Sequence, residues 1–383
     1  MTTVPVETGA AETGAERAVG IVDCDVHPTM PHGLDTLRPY FSEAWTRRLF
    51  GPAADQAWGT AAHASQFQLP TNRTYINPVG GVRRDARLES GLMPGSDPQV
   101  VIDELFEGYG ITHAILQGND MLGLGSLIDP DAAAVIATAY NDWLQDTWIA
   151  ADSRFRHGVL VTAQEPQKAA AEIARMADKP GVAAIFLPLT NRLMGDRHYY
   201  PIYEAAATHG LPVCIHPNAV DGSSTTAPQL AGGTPTYYTE WHTGLTQIAQ
   251  ANVISLVCHG VFETYKDLKV VATESGIAWL MDVMWRLDKN WKGLRDEIPW
   301  VKRRPSEYIV DHVRLTSQPF LEPEKREHLL LTLEAVHAER TLVFSSDYPH
   351  WDFDNPMRAL ASVPDELRRR IQWENAQETY GRL

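Results

Sequence analysis

The chain has 383 residues, of which 44% are hydrophobic, and this is enough for a sizeable core in one or two domains. Its formal net charge of −15 argues against nucleic acid and anionic membranes as main partners. The longest apolar runs have only the length of a strand, so no segment is predicted to cross a bilayer.

The N-terminal residues 1–19 are rich in Thr, Ala, Gly and Glu and lack the basic and apolar regions of a secretory signal. We therefore expect a disordered tail, followed by one domain over residues 20–383. The three cysteines, Cys24, Cys214 and Cys258, each fall in a predicted buried strand. Reduced thiols of this kind are typical of a cytoplasmic protein rather than of a disulfide framework.

The first predicted strand, residues 21–28, carries three polar side chains in an apolar setting. Because strand side chains alternate between faces, Asp23, Asp25 and His27 are expected to point the same way. Buried polar groups need partners, and carboxylate and imidazole groups are ordinary ligands for Zn, Mn or Fe. The motif by itself predicts either a metal site or a capped strand end with a hydrogen-bonded histidine.

A long irregular region, roughly residues 28–96, follows the first strand and is typical of a lid or binding loop. Strands and helices then alternate. The remaining strands are predicted at 112–117, 157–162, 182–187, 211–216, 253–258, 268–273 and 341–346. Helices are predicted at 97–109, 131–151, 166–178, 202–209, 240–251, 278–290, 357–361, 365–374 and 376–380, with a helical turn at 262–265.

Eight strands, each followed by helical sequence, predict a single-domain TIM (β/α)8 barrel with loop insertions after strands 1 and 7. A doubly wound open sheet is the alternative, but no Gly-x-Gly-x-x-Gly turn follows the first strand. The second insertion, about 291–338, contains Trp291, Trp300 and the basic run 302–304. This pattern indicates a solvated or subunit-contacting face.

Functional residues of such barrels lie at the carboxyl ends of the strands, where this sequence concentrates His and acidic residues. The predicted strand ends carry Asp25, His27, His216, His259, Glu274 and Asp347. Side chains from these ends converge on one point at the barrel mouth. The set therefore favours a metal site over a chance scatter of polar residues.

These motifs resemble the amidohydrolase superfamily, in particular its amidohydrolase-related branch that includes aminocarboxymuconate semialdehyde decarboxylase. The resemblance covers residues 20–381 and rests on the sequences at 22–27, 213–217, 258–263, 272–276, 344–352 and 374–376. It implies metal ligation by Asp25, His27, His216 and Asp347. It also implies that His259 is a proton donor or base, or a ligand to a second metal.

Two departures from the family pattern bear on the metal. The commonest first motif is His-x-His, whereas this chain has Asp25 in the first position, where related decarboxylases also place a carboxylate. The strand-four lysine that is carbamylated in binuclear members is also missing, since this end reads Leu187-Pro188. We therefore expect one divalent ion, Zn, Mn or Fe, per chain. The candidates for a second metal or for the pocket are His259, Glu274, His242 and His350.

The resemblance implies a metal-dependent hydrolase or non-oxidative decarboxylase acting on a small carboxylated molecule, with His259 and Asp347 as catalytic residues. A non-haem iron oxygenase and a non-catalytic barrel subunit of a hetero-oligomer are the alternatives. Arginines of the first long loop are candidates for binding the substrate carboxylate: Arg73, Arg83, Arg84 and Arg87. The 291–338 segment and the Trp-rich helices suggest a homodimer or hetero-oligomer.

Overall fold

The strands pair in the order β1 to β8, and every pair is parallel. The computed structural model describes residues 20–51, 77–79, 81–83, 85–86, 88–217 and 235–383. The strands are β1 (Ile21–Val26), β2 (Ile111–Leu116), β3 (Phe155–Leu160), β4 (Val182–Phe186), β5 (Val213–Ile215), β6 (Val270–Ala272), β7 (Val313–Thr316) and β8 (Leu342–Val343). The predicted (β/α)8 barrel is confirmed. The N-terminal tail lies outside the described residues.

Helices separate the strands and cover the outside of the sheet. They are α1 (Glu43–Phe50), α2 (Pro98–Val101), α3 (Pro130–Leu144), α4 (Pro166–Met176), α5 (Tyr200–His209), α6 (Tyr238–Gly244), α7 (Thr246–Cys258), α8 (Val261–Thr264), α9 (Trp279–Leu294), α10 (Pro305–His312), α11 (Arg326–Ala335), α12 (Ala338–Thr341), α13 (Asp365–Arg369) and α14 (Asn375–Tyr380). Within the described ranges, no helix is both long and apolar enough to span a membrane.

Local sequence explains where several of these helices begin. Asp97 precedes Pro98 and accepts a hydrogen bond from the backbone of Gln99, which caps α2. Asp129 caps α3 in the same way, with Pro130 at the first helical position. Both helices end in a π-helical segment, over Ile102–Gly108 and Gln145–Ile149.

The long first loop is more ordered than its composition predicts. A 3-10 helix over Gly33–Tyr40 and the helix α1 lie inside the region predicted to be irregular. Leu37 and Phe50 anchor these elements in the core near β1 to β3. The prediction of an irregular segment starting directly after β1 is therefore wrong for residues 33–50.

The barrel interior holds a small apolar layer made by residues from several strands. Val22, Cys24, Ile115, Ala184, Cys214, Val271 and Val343 belong to this layer. Ala376 and Tyr380 of α14 pack onto it. Filling one end of the barrel with apolar side chains restricts polar chemistry to the other end.

One predicted strand is a helix, and one strand was missed. Residues 253–258 form the end of α7, where Asn252 and Ser255 accept hydrogen bonds from the backbone of the 190–195 loop. Because these polar groups are satisfied and the helix is largely buried, its apolar run looks like a strand in the sequence. The missing strand is β7, which lies inside the segment 291–338, so that segment is not an insertion but supplies a barrel strand.

The barrel closes between β1 and the residues that follow β8. The backbone N–H of Cys24 donates to the carbonyl of Phe344 at 2.9 Å, and that of Asp347 donates to the carbonyl of Asp25 at 3.1 Å. Val26 and Tyr348 also form a parallel bridge. This seam brings the first and last strands, far apart in sequence, into direct contact.

Candidate metal centre

Four side chains meet at the carboxyl ends of the barrel strands. Asp25 and His27 come from the end of β1, His216 directly follows β5, and Asp347 follows β8. Each offers one ligand atom, and these atoms all lie within 4.8 Å of one another. The four residues are at most 1% exposed. The structure thus brings together the four residues whose strand ends were expected to meet.

An irregularity in β1 helps to aim its polar residues. Asp23 pairs with Ala114 and Val26 with Leu116, so three steps along β1 oppose two along β2. This is the count of a β-bulge, which breaks the simple alternation of side chains. Asp25 therefore joins the metal-ligand cluster, whereas Asp23 takes another role.

Asp23 anchors the chain across the seam. Its carboxylate accepts a 2.9 Å hydrogen bond from the backbone of Ser346 and another from the Ser346 hydroxyl. Burial raises the pKa of Asp23 to about 7. The expectation that Asp23 points the same way as Asp25 and His27 is not supported, since its partners belong to the loop that carries Asp347.

Both histidines are oriented by backbone carbonyls on their outer sides. His27 Nδ1 lies 2.9 Å from the carbonyl of Gln117, and His216 Nδ1 lies 2.6 Å from that of Pro217. A carbonyl can only accept, so each Nδ1 carries the proton and each Nε2 presents a lone pair to the centre. Hydrogen bonds of this kind fix the rings of metal-binding histidines.

The central atoms of the cluster have no hydrogen-bond partners among the described residues. These are both carboxylate oxygens of Asp25, Nε2 of His27, Nε2 of His216 and Oδ2 of Asp347. Orphaned buried polar atoms are costly, and a cation bound between them removes that cost. Two carboxylates and two imidazoles also match the ligand preferences of Mn, Fe and Zn. The residues present therefore fit a divalent metal ion.

The electrostatics of the cluster favour a cation. Burial would lower the pKa of His27, but the carboxylates of Asp25 and Asp347 outweigh it and raise that pKa. Burial would raise the pKa of Asp347, but His350 and His27 outweigh it and lower that pKa. The same negative field that favours a proton on an imidazole favours a metal ion in its place.

A second polar group adjoins the first. His242, Glu274 and Asp352 each offer an atom within 4.8 Å of the others, and we call them the outer triad. Glu274 Oε1 lies 3.2 Å from His242 Nε2, and Glu274 Oε2 lies 3.4 Å from His216 Nε2. Glu274 thus connects the two groups. It has a positive φ of 45°, a conformation that is uncommon for non-glycine residues and recurs at functional sites.

His350 also contacts the cluster. Its Nδ1 lies 2.7 Å from Asp347 Oδ1, and its ring stacks on His27 with the centroids 4.4 Å apart. Its Nε2 lies 3.2 Å from the side-chain oxygen of Asn119. Asp347, like Glu274, has a positive φ, here of 60°. His350 therefore orients the Asp347 carboxylate rather than contributing a ligand atom to the four-residue cluster.

His259 is not in the site, which corrects the sequence prediction. It caps the C-terminus of α7, is exposed, and precedes the short helix that leads into the start of β6. A helix that returns to the start of a strand ends on the opposite face of the barrel from the metal ligands. Strand β6 ends at Ala272 and is followed by Thr273 and Glu274, so Glu274 occupies the place that His259 was predicted to hold.

Replacing His259 with alanine should leave both metal content and turnover within about twofold of the parent enzyme, as for most exposed positions. Elemental analysis and a steady-state assay of the His259→Ala enzyme measure both quantities. A loss of turnover with normal folding would restore His259 to the active site and contradict its position on the opposite face.

Of the four candidate arginines, Arg73, Arg84 and Arg87 lie outside the described residues. Arg83 makes ion pairs with Asp85 at 2.8 Å and with Glu104 at 2.7 Å. Its guanidinium also packs on the ring of Phe353 at 4.3 Å. The charge of Arg83 is therefore already neutralised by two carboxylates, which favours a structural role over capture of a substrate carboxylate.

Several site residues were not singled out from the sequence. Gln117, just past β2, and Asn119 would have been found by applying the strand-end rule to that strand as well. Asp352 lies five positions after Asp347 in the motif at 344–352, but nothing in the sequence around it indicates a functional role. Tyr238, which stacks on His242, could be assigned only once the loops had been placed.

Comparisons with known proteins agree with this geometry. A family model described as amidohydrolase matches residues 22–382. The γ-resorcylate decarboxylase of Polaromonas sp. is 25% identical over 342 residues, which cover 83% of this chain and 97% of that protein.

Solved structures show the same fold. The 5-carboxyvanillate decarboxylase of Sphingomonas paucimobilis has a TM-score of 0.65 and 19% identity, covering 95% of this chain and 99% of that one. A dihydroxybenzoic acid decarboxylase of Polaromonas sp., solved with manganese and the inhibitor 2-nitroresorcinol, has a TM-score of 0.62 and 18% identity. The match to the latter covers 94% of this chain and 97% of the other.

Proposed function

This chain belongs to the amidohydrolase family, and from that premise we propose that it is a non-oxidative decarboxylase of a hydroxylated aromatic carboxylic acid. The prediction of a metal-dependent enzyme with one divalent ion is confirmed by the family and by the buried cluster. The oxygenase and the non-catalytic subunit gain no support from the relatives. We propose manganese as the ion, since a structural relative contains it.

The observation that carries the proposal is the orphaned cluster of ligand atoms at the barrel mouth. Asp25, His27, His216 and Asp347 would hold the ion. When bound, it would supply a Lewis acid that polarises an oxygen of the substrate. No lysine stands at the end of β4, where Leu187 and Pro188 follow Phe186. This supports one metal ion rather than a carbamate-bridged pair.

We assign Asp347 to the chemistry as well as to the metal. Its Oδ1 is held by His350 and lies 2.9 Å from His27 Nε2, while its Oδ2 has no partner among the described residues. The Asp347 carboxylate is thus placed to accept the proton of a substrate hydroxyl. The preorganised carboxylate performs this transfer without rearrangement of the loop.

The test is a decarboxylation assay on enzyme loaded with manganese, using γ-resorcylate and 5-carboxyvanillate. We expect release of CO2 with at least one of them and no consumption of oxygen. Benzoate, which lacks the hydroxyl group, should not react. Oxygen uptake coupled to turnover would contradict the proposal and favour an oxygenase. A product that keeps the carboxylate group, formed by hydrolysis of another bond, would favour a hydrolase.

An oligomeric enzyme is also part of the proposal, as a homodimer or as part of a hetero-oligomer. Support comes from large apolar side chains on the surface of α9, where Trp285 is 61% and Leu294 is 57% exposed. Light scattering coupled to size exclusion measures the mass directly, and a monomer would remove this expectation.

A cytoplasmic location remains a prediction; it accords with the three free cysteines.

A further inference from the structure

The segment 81–83 of the first long loop lies against the loop that follows β8. Val82 and His350 form an antiparallel bridge. The backbone N–H of Arg83 donates to the carbonyl of Pro349 at 3.0 Å. The segment is therefore fixed directly beside the histidine that orients a candidate metal ligand.

The side chain of Arg83 joins this segment to two further parts of the chain. Its guanidinium lies 2.7 Å from Glu104, in the π-helical segment that precedes β2, and 2.8 Å from Asp85. It also packs on the ring of Phe353, in the loop after β8, at 4.3 Å. The Arg83 side chain is only 12% exposed. One half-enclosed guanidinium thus holds together the first long loop, the segment before β2 and the loop after β8.

The loop after β8 is continuous with the metal centre. The backbone N–H of His350 donates to the carbonyl of Asp347 at 2.8 Å, and that of Phe353 donates to the carbonyl of His350 at 3.3 Å. His350 Nδ1 lies 2.7 Å from Asp347 Oδ1, and the His350 ring stacks on His27. A displacement of the backbone at His350 therefore moves the group that orients the Asp347 carboxylate.

We propose that Arg83 is a positioning residue for the metal centre. It holds the segment 81–83 against the loop after β8, which fixes His350 and, through His350, the carboxylate of Asp347. This role takes the place of the one expected from the sequence, in which Arg83 binds the substrate carboxylate. The choice of manganese and of the substrates below rests on the proposed function, whereas the positioning role does not.

The test compares Arg83→Gln with a matched control, Arg154→Gln. Arg154 also pairs with two carboxylates, those of Glu107 at 2.9 Å and Asp152 at 2.7 Å, and packs on the ring of Phe106 at 4.4 Å. It lies just before β3, at the opposite end of the barrel from the metal ligands. A loss that follows merely from removing an arginine of this kind should therefore appear in both variants.

The first measurement is the Kd for manganese, determined by competition with a chelator and without substrate. We expect Arg83→Gln to raise the Kd by about 10-fold, the lower end of the usual effect of changing a group that supports a metal ligand. Arg154→Gln should keep the parent Kd. An unchanged Kd in Arg83→Gln, or an equal rise in both variants, would overturn the proposal.

A double-mutant cycle shows whether Arg83 acts through His350. His350→Gln should itself raise the Kd for manganese, and adding Arg83→Gln to it should cause no further rise, because the connection is already lost. Two losses that multiply would overturn the proposal. Glu104→Gln, which removes only the partner before β2, should also raise the Kd and provides the same cycle if Arg83→Gln does not fold.

Steady-state kinetics at saturating manganese separate positioning from substrate binding. With γ-resorcylate or 5-carboxyvanillate, Arg83→Gln should lower kcat by about 10-fold and leave KM within about twofold, because the guanidinium is already paired. A higher KM with parent kcat and parent manganese Kd would overturn the proposal and assign Arg83 to the substrate carboxylate. If the parent enzyme acts on neither acid, the proposed function fails, and the manganese cycle still decides the role of Arg83.

Discussion

Replacing Asp25 with alanine should empty the metal centre and abolish turnover. Both oxygens of this fully buried carboxylate lack hydrogen-bond partners among the described residues, and both face histidines of the cluster. Removing a residue that hydrogen-bonds to a metal ligand lowers metal affinity by about 10–100-fold. Removing the ligand itself should therefore lower metal affinity by more than about 100-fold. Elemental mass spectrometry after dialysis measures the metal directly.

The same substitution should also change how the thermal stability of the protein responds to a chelator. An ion bound only to the native state at about 1,000 times its Kd stabilises the fold by about 4 kcal/mol, so a chelator should lower the melting temperature of the parent enzyme. The Asp25→Ala protein should show no such response to chelator. Asp23→Asn is the matched control, since Asp23 is equally buried on β1 but bonds to Ser346 rather than to the cluster. Retention of metal by Asp25→Ala would contradict the ligand set.

Replacing Asp347 with asparagine should separate chemistry from metal binding. The amide keeps the shape and the contact with His350, and Asp25, His27 and His216 remain as ligands. It cannot accept a proton from the substrate, so turnover should fall by about 10³-fold, within the usual range for loss of an acid–base group. Metal affinity should weaken less, and addition of excess manganese should refill the site.

Steady-state kinetics at saturating manganese, with metal content measured on the same sample, check this result. His350→Gln is the companion variant, since it removes the partner of Asp347 Oδ1 but leaves the carboxylate. It should reduce turnover much less than Asp347→Asn does. Turnover by Asp347→Asn at the parent rate, with full metal occupancy, would remove Asp347 from the chemistry and leave it only as a ligand.

The meeting of the four candidate metal ligands could be predicted from the sequence because they follow a positional rule. In a parallel barrel the carboxyl ends of the strands meet. A polar residue at the end of an apolar strand can therefore be predicted to lie in the site even when its neighbours in space are unknown. Asp25, His27, His216 and Asp347 all satisfy that rule. The barrel fold followed from the same alternation of short apolar strands and helices.

The wrong assignments come from segments in which local sequence is ambiguous. The run 253–257 is apolar except for Ser255 because most of it is buried in helix α7, and a short buried helix and a short buried strand have similar compositions. Strand β7 contains Arg314, and because a charged residue is not typical of a short buried strand, this strand was not recognised in the sequence. The outer triad joins three separate elements, and no spacing along the chain indicates that they meet.

The seam of the barrel has a consequence for how the enzyme is made. Asp23 and Ser346, which bond across it, are 323 residues apart, and the candidate metal ligands come from the first strand, the middle of the chain and the segment after the last strand. A chain still being synthesised carries Asp25, His27 and His216 long before it carries Asp347 or the strand that completes the barrel. The complete four-residue site therefore exists only in the finished polypeptide, and an ion bound there would join the first strand to the segment that follows the last one.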